Sequence, residues 1–194
     1  MNVGIVGFGS IGTEVARALI NGVEDFSLYG ITSRSKSNAQ ERIDKLDKNI
    51  KIFDLQALVD NCEIIIDCAP KEAFRDIATK CINKERKLIT VSGSGILDNL
   101  DLEELAKTNN SQIILATGAI LGLDALRAAA ESNINSVTMT TRKPPNALSN
   151  APFVINNNIQ LNNLLEPKLI FKGSATNGAK AFPANVNVAA AVGL

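Results

Sequence analysis

The sequence predicts an α/β fold built on a doubly wound parallel sheet, followed by a smaller domain of α+β texture. Three observations lead there. The chain opens with a short apolar run, Val3 to Val6, that breaks into Gly7-Phe8-Gly9-Ser10-Ile11-Gly12 and then into an amphipathic helix. Apolar strand-like runs then alternate with helical stripes as far as Ala116, the pattern of a parallel sheet with crossover helices. From Thr117 onward the texture changes to small residues, asparagines and prolines.

Strand, G-x-G-x-x-G and helix in that order form the phosphate-binding turn of a Rossmann-type domain. Gly7 permits the tight turn, Gly9 lets a pyrophosphate approach the backbone, and Gly12 lets the helix pack close on the sheet. The helix-start amides of Ser10, Ile11 and Gly12, at the positive end of the helix dipole, suit phosphate charge. A glycine-rich turn that binds nothing is the plainer alternative. A second strand, Phe26 to Thr32, ends in Ser33-Arg34-Ser35. About 20 positions past the glycines, NAD-preferring domains carry an acid for the ribose hydroxyls. Ser33 and Arg34 instead suit a 2′-phosphate, or form a solvated polar turn. The expected cofactor is therefore NAD or NADP.

Asn38 to Lys48 reads as helix, Lys51 to Phe53 as a short strand and Leu55 to Val59 as a half-buried helix. Glu63 to Ala69 is an apolar strand stopped by Pro70, and Lys71 to Asn83 a helical stripe. Leu88 to Val91 is the next strand, leading to Ser92-Gly93-Ser94-Gly95. A helix at Leu102 to Lys107 and a strand at Gln112 to Ala116 complete the first domain. Ligands in such sheets lie beyond the carboxyl ends of the strands, so Ala69, Pro70, Ser92, Gly93 and Ser94 are expected to line the crevice. Their alternative is loop punctuation. In the second domain, Ala125 to Glu131 reads as helix and Asn135 to Arg142 as a strand with one covered face. Asn146 to Asn163 reads as loop with a weak helix, Lys168 to Gly173 as strand and Ser174 to Phe182 as helix. The boundaries expected are 1–117 and 118–194.

Composition narrows the class. Twenty Lys and Arg balance twenty Asp and Glu, so no basic excess argues for nucleic acid. No apolar run is long enough to span a bilayer as a helix. Cys62, Cys68 and Cys81 lack a C-x-x-C pairing and read as reduced core thiols of a cytoplasmic protein, with no metal framework. The chain contains no histidine, so a neutral-pH acid or base must come from another residue type. The apolar ending VAAAVGL reads as a core helix with more to follow, and the second domain is expected to be incomplete.

Three later segments carry a resemblance: TGAILGLDAL at 117–126, TRKPP at 141–145 and FKGSATNGAKAFPANVNVAAAVGL at 171–194. In order and spacing the whole chain resembles the L-aspartate dehydrogenase family. The resemblance implies oxidation of L-aspartate to iminoaspartate with NAD or NADP, on the route to quinolinate and NAD. It implies that Ala119 and Asn185 contact the cofactor, with Asn187 a neighbour that shares the task. Packing for Ala119 and helix capping for Asn185 are their structural alternatives. It also implies a catalytic/dimerisation role for the second domain, a homodimer at full length, and a catalytic histidine downstream of NVNVAA. No catalytic residue is therefore assigned within residues 1–194, and this chain alone is expected to bind dinucleotide and turn over L-aspartate negligibly. Lys143, with Arg142 beside it, is the candidate for substrate carboxylates, or a solvated strand-end charge. Homoserine dehydrogenase, dihydrodipicolinate reductase and a catalytically inactive dinucleotide-binding fragment are the alternatives.

Overall fold

A computed structural model describes residues 1–46, 49–116, 118, 120–183 and 187–194, with the side chain of residue 188 left aside. The chain divides into two compact units, Met1–Ala116 and Thr117–Leu194.

Five parallel strands form the centre of the first unit: β1 (Asn2–Val6), β2 (Ser27–Thr32), β3 (Ile64–Asp67), β4 (Lys87–Thr90) and β5 (Gln112–Leu115). Their spatial order is β2-β1-β3-β4-β5. The chain adds one strand to the left of β1 and then returns to add the rest on the right. The direction of winding thus reverses between β1 and β3, and right-handed crossovers put helices on both faces. One face is covered by α1 (Ser10–Ile20) and α2 (Lys36–Ile43), around Ile5, Phe8, Ala16, Ile31, Ala39 and Ile43. The other carries α3 (Leu55–Asn61), α4 (Phe74–Asn83) and α6 (Asp101–Thr108), around Leu58, Ile65, Phe74, Ile77 and Leu88. Neighbouring β1 residues Ile5 and Val6 belong to opposite faces, as the two-residue pleat requires.

In the first unit one expected element took another form. The strand expected at Lys51 to Phe53 is a single parallel bridge, Ile52 to Ile31, at the outer edge of β2. Ile31 N–H donates to the Lys51 carbonyl at 2.9 Å and Phe53 N–H to the Ile31 carbonyl at 2.8 Å. Phe53 fills the space over Gly30, where a Cβ would lie 2.6 Å from its ring, and stacks on Tyr29. The Ser92-Gly93-Ser94-Gly95 run after β4 opens a short helix, α5 (Gly93–Leu97), capped by the Ser92 hydroxyl, which accepts from the Gly95 amide.

The second unit holds α7 (Leu123–Ala130), α8 (Pro152–Asn156), α9 (Ala175–Ala181) and α10 (Asn187–Gly193). Phe153, Phe171 and Phe182 form a triangle with centroids 5.4–5.6 Å apart, packed with Ala151, Val154, Leu161 and Ala179. The strands expected at Asn135 to Arg142 and Lys168 to Gly173 form no ladder among the described residues. A strand needs a partner for its backbone groups, and alternation in one segment cannot supply it. The two segments instead line one cavity of about 670 Å³ within the unit.

Candidate functional site

The site at the winding reversal is built by backbone. Gly7 leaves β1 with φ +88°, a conformation that favours glycine, and its N–H donates to the Thr32 carbonyl at 2.9 Å. A Cβ there would lie 2.7 Å from the Ala69 nitrogen, so the turn rests directly on the chain leaving β3. At Gly12 a Cβ would meet the Gly7 carbonyl at 2.2 Å, and only glycine lets α1 approach so closely. Gly9 differs. Nothing lies within 4 Å of a Cβ built there, so the space above it is open to a ligand.

Gly9 is also the N-cap of α1 and has no side chain to cap the helix. Thr13 returns both its amide and its hydroxyl to the Gly9 carbonyl, at 3.0 and 2.7 Å. The amides of Ser10, Ile11 and Gly12 thus have no side-chain acceptor, and no acid sits in the first turn. Such a turn is a cradle for an anion that brings its own oxygens.

At the end of β2, Ser33 is half-buried and donates its hydroxyl to the Ser35 carbonyl at 3.3 Å. Ser35 caps α2 by accepting from Asn38 N–H at 3.4 Å. Arg34 is exposed and has no hydrogen bond or ion pair among the described residues. The segment 33–38, SRSKSN, contains no Asp or Glu, and no carboxylate bonds to it among the described residues.

Across the reversal, Ala69 is half-buried and Pro70 exposed, where the chain enters a single 3-10 turn at Lys71–Ala73. Ser92 and Gly93 are buried and Ser94 is 1% exposed, so the end of β4 is a packed wall. Sequence reasoning missed what holds this wall. Asp67, the last residue of β3, is 1% exposed. Its Oδ1 accepts from Ala69 N–H at 2.9 Å and its Oδ2 from the Thr90 hydroxyl at 2.7 Å. Thr90 Oγ1 in turn accepts from Ser92 N–H at 3.0 Å. Burial pushes the Asp67 carboxyl up from its ordinary range, against the pull of these two donors. The signal was present in the sequence: an acid, Asp67, enclosed within the apolar run IIIDCA.

Ala119 and Asn185 lie outside the described residues. Asn187 is exposed at the start of α10. Lys143 lines the cavity of the second unit together with Lys168 and Lys172, and no Asp or Glu lines it among the described residues. Arg142 is exposed and not among the lining residues. The described residues hold no His, Cys, Asp and Glu group suited to a metal ion. No described helix is long and apolar enough to cross a membrane.

Comparison with known proteins agrees with this geometry. Residues 7–116 match the family model for the NAD-binding domain of homoserine dehydrogenase, and residues 124–194 that for the C-terminal part of aspartate dehydrogenase. The chain is 40% identical to L-aspartate dehydrogenase of Bradyrhizobium diazoefficiens over all of its own length and 69% of the relative's. It is 39% identical to the enzyme of that name from Methanocella arvoryzae, over 99% of this chain and 72% of that one. The solved aspartate dehydrogenase of Thermotoga maritima superposes on the whole chain with a TM-score of 0.75 at 23% identity, over 72% of its own length, a likeness of fold. The first unit is a domain for a nicotinamide dinucleotide, and the chain belongs to the L-aspartate dehydrogenase family.

Proposed function

We propose that this protein oxidises L-aspartate to iminoaspartate, with NAD or NADP as hydride acceptor. The observation that carries this reading is 40% identity to an L-aspartate dehydrogenase along the whole of this chain and 69% of that relative, joined to an open, uncapped glycine turn at the start of α1. When bound, the nicotinamide takes the hydride from the substrate's Cα. The chain's residues do the rest. Gly7 shapes the turn, its own amide given to the Thr32 carbonyl, and Gly9, Ser10, Ile11 and Gly12 would hold the pyrophosphate by backbone amides. Ser33 and Arg34 hold the ribose beside the adenine, Ala69, Pro70, Ser92 and Gly93 wall the crevice, and Ala119, Asn185 and Asn187 complete the cofactor contacts.

The substrate must lose an ammonium proton as Cα–H leaves, so that the C=N bond can form. Its two carboxylates call for cations, and Lys143 is the residue we assign to them, in a cavity that no Asp or Glu lines among the described residues. With no histidine in residues 1–194, no imidazole of this segment takes the proton. The test is reduction of NAD or NADP by L-aspartate at mildly alkaline pH, beside calorimetric titration of NADH and NADPH. Dinucleotide reduction that depends on L-aspartate and not on homoserine supports the reading; reduction with homoserine alone overturns it.

For cofactor choice, the unpaired Arg34 and the absence of a carboxylate among the described residues at the end of β2 favour NADP. Arg34→Ala is expected to weaken NADPH selectively and to flatten its salt dependence. If NADH binds about tenfold tighter than NADPH in the unmodified protein, the preference is for NAD.

A further inference from the structure

Among the described residues Asp67 is the only ionisable side chain, thiols apart, in the buried set. A charge in that position costs folding free energy unless the donors around it compensate. Among the described residues no cation accompanies it, only one amide and one hydroxyl. What those two donors have in common is their place. Asp67 and Thr90 are paired neighbours at the carboxyl ends of β3 and β4, the edge at which ligands bind in such sheets.

From this one carboxylate the contacts run outward in two directions. Through Ala69 it fixes the turn out of β3, against which Gly7 rests. Through Thr90 it fixes the Ser92 amide, and the Ser92 hydroxyl then caps α5. Gly95 completes the packing, since a Cβ there would lie 2.7 Å from the Phe74 ring and from Ser92 Oγ.

The sheet order decides which part of a dinucleotide this wall meets. The uncapped helix start lies after β1 and the Ser33–Arg34 corner after β2, on one side of the reversal. The adenosine diphosphate half is accounted for there. The ends of β3 and β4 lie on the other side, toward which the remaining half must extend. We infer that Asp67, acting through Thr90, is a positioning residue for the nicotinamide half of the cofactor, with the adenosine half held independently. This rests on the dinucleotide reading of the first unit.

The test is titration of the folded protein with NADH and, separately, with ADP, which lacks the nicotinamide half. Thr90→Val keeps the shape and removes both hydrogen bonds; it is expected to weaken NADH about tenfold and to leave ADP within about twofold. Thr90→Ser restores the hydroxyl and is expected to bind both ligands within about twofold of the unmodified protein. Equal losses for NADH and ADP, or no loss for either, would overturn the inference. Should Thr90→Val fail to fold, Asp67→Asn carries the same comparison, since it keeps the side chain's shape while changing the acceptor that holds Thr90. If the unmodified folded protein binds ADP but not NADH, the inference fails while the pyrophosphate cradle stands. If it binds neither, the dinucleotide reading itself is wrong.

Discussion

Gly9 and Gly12 stand three residues apart in one turn, yet the structure gives them opposite sensitivities. A Cβ at Gly12 collides with the Gly7 carbonyl at 2.2 Å, while one at Gly9 meets nothing within 4 Å. Gly12→Ala is therefore expected to destabilise the fold, by about 1–3 kcal/mol as overpacking does. Gly9→Ala is expected to keep the melting temperature and to lose NADH affinity, because its methyl enters the space proposed for the pyrophosphate. Thermal melts and titrations of the two variants separate the cases, and equal NADH affinity of Gly9→Ala would remove the phosphate role from this turn. Asp67 makes a second residue-scale prediction. Its folded pKa is raised by burial, so its contribution to stability is full below the ordinary carboxylate range and is lost as pH rises through the folded value. Asparagine carries no such penalty at neutral pH. Relative to the unmodified protein, Asp67→Asn should fare worse near pH 4 and recover toward about pH 7, read from melting temperatures across that range. A difference constant with pH would show that Asp67 is protonated alike in both states.

At the scale of elements, the face of the sheet covered by α3, α4 and α6 carries its own reporters. Cys62 closes α3, Cys81 lies within α4, and both are buried in that cluster. Burial pushes the Cys62 thiol up to about 11 and the Cys81 thiol up to about 12. Cys68, at the end of β3, is also pushed up to about 12. Because the thiolate is the nucleophile, all three are expected to resist alkylation near pH 8 until these helices leave the sheet. Mass spectrometry of iodoacetamide-treated native and unfolded protein checks this, and rapid native labelling of Cys62 or Cys81 would mean that α3 or α4 opens easily. The same elements show what was legible in the sequence. β1, β3 and β4 announce themselves because strands covered on both faces need continuous apolar runs, as in IIID, and the edge strand β5 keeps such a run, QIIL, with Ile114 exposed. The phosphate turn was legible because its glycines answer local steric demands. The Asp67–Thr90–Ser92 chain was not, since it joins residues 23 apart whose meeting depends on strand register. The expected strands at 135–142 and 168–173 show the converse limit: alternation describes a segment, while pairing belongs to its partner.

For the whole molecule, the two units differ in charge as well as in architecture. Six Lys and Arg stand against three Asp and Glu in residues 117–194, while the first unit carries the compensating acidic excess within a chain of zero net charge. Lys143, Lys168 and Lys172 meet at the cavity of the second unit. A dicarboxylate would find cations there, whereas the dinucleotide's phosphates have an uncapped helix start in the first unit. The proposed labour is thus divided by domain, and variants should report it as two separate sets of constants. Lys143→Ala is expected to raise KM for L-aspartate about tenfold, with NADH affinity unchanged. Gly9→Ala is expected to do the reverse, weakening NADH while the aspartate dependence at saturating dinucleotide stays near its original value. Because an ammonium–carboxylate contact at an exposed site is screened, added salt should raise KM for L-aspartate in the unmodified protein and change it less in Lys143→Ala. Steady-state kinetics with each substrate varied at two ionic strengths gives all of these constants. If Lys143→Ala leaves both KM and its salt dependence untouched, Lys143 is a solvated charge, and the carboxylates are held by other groups.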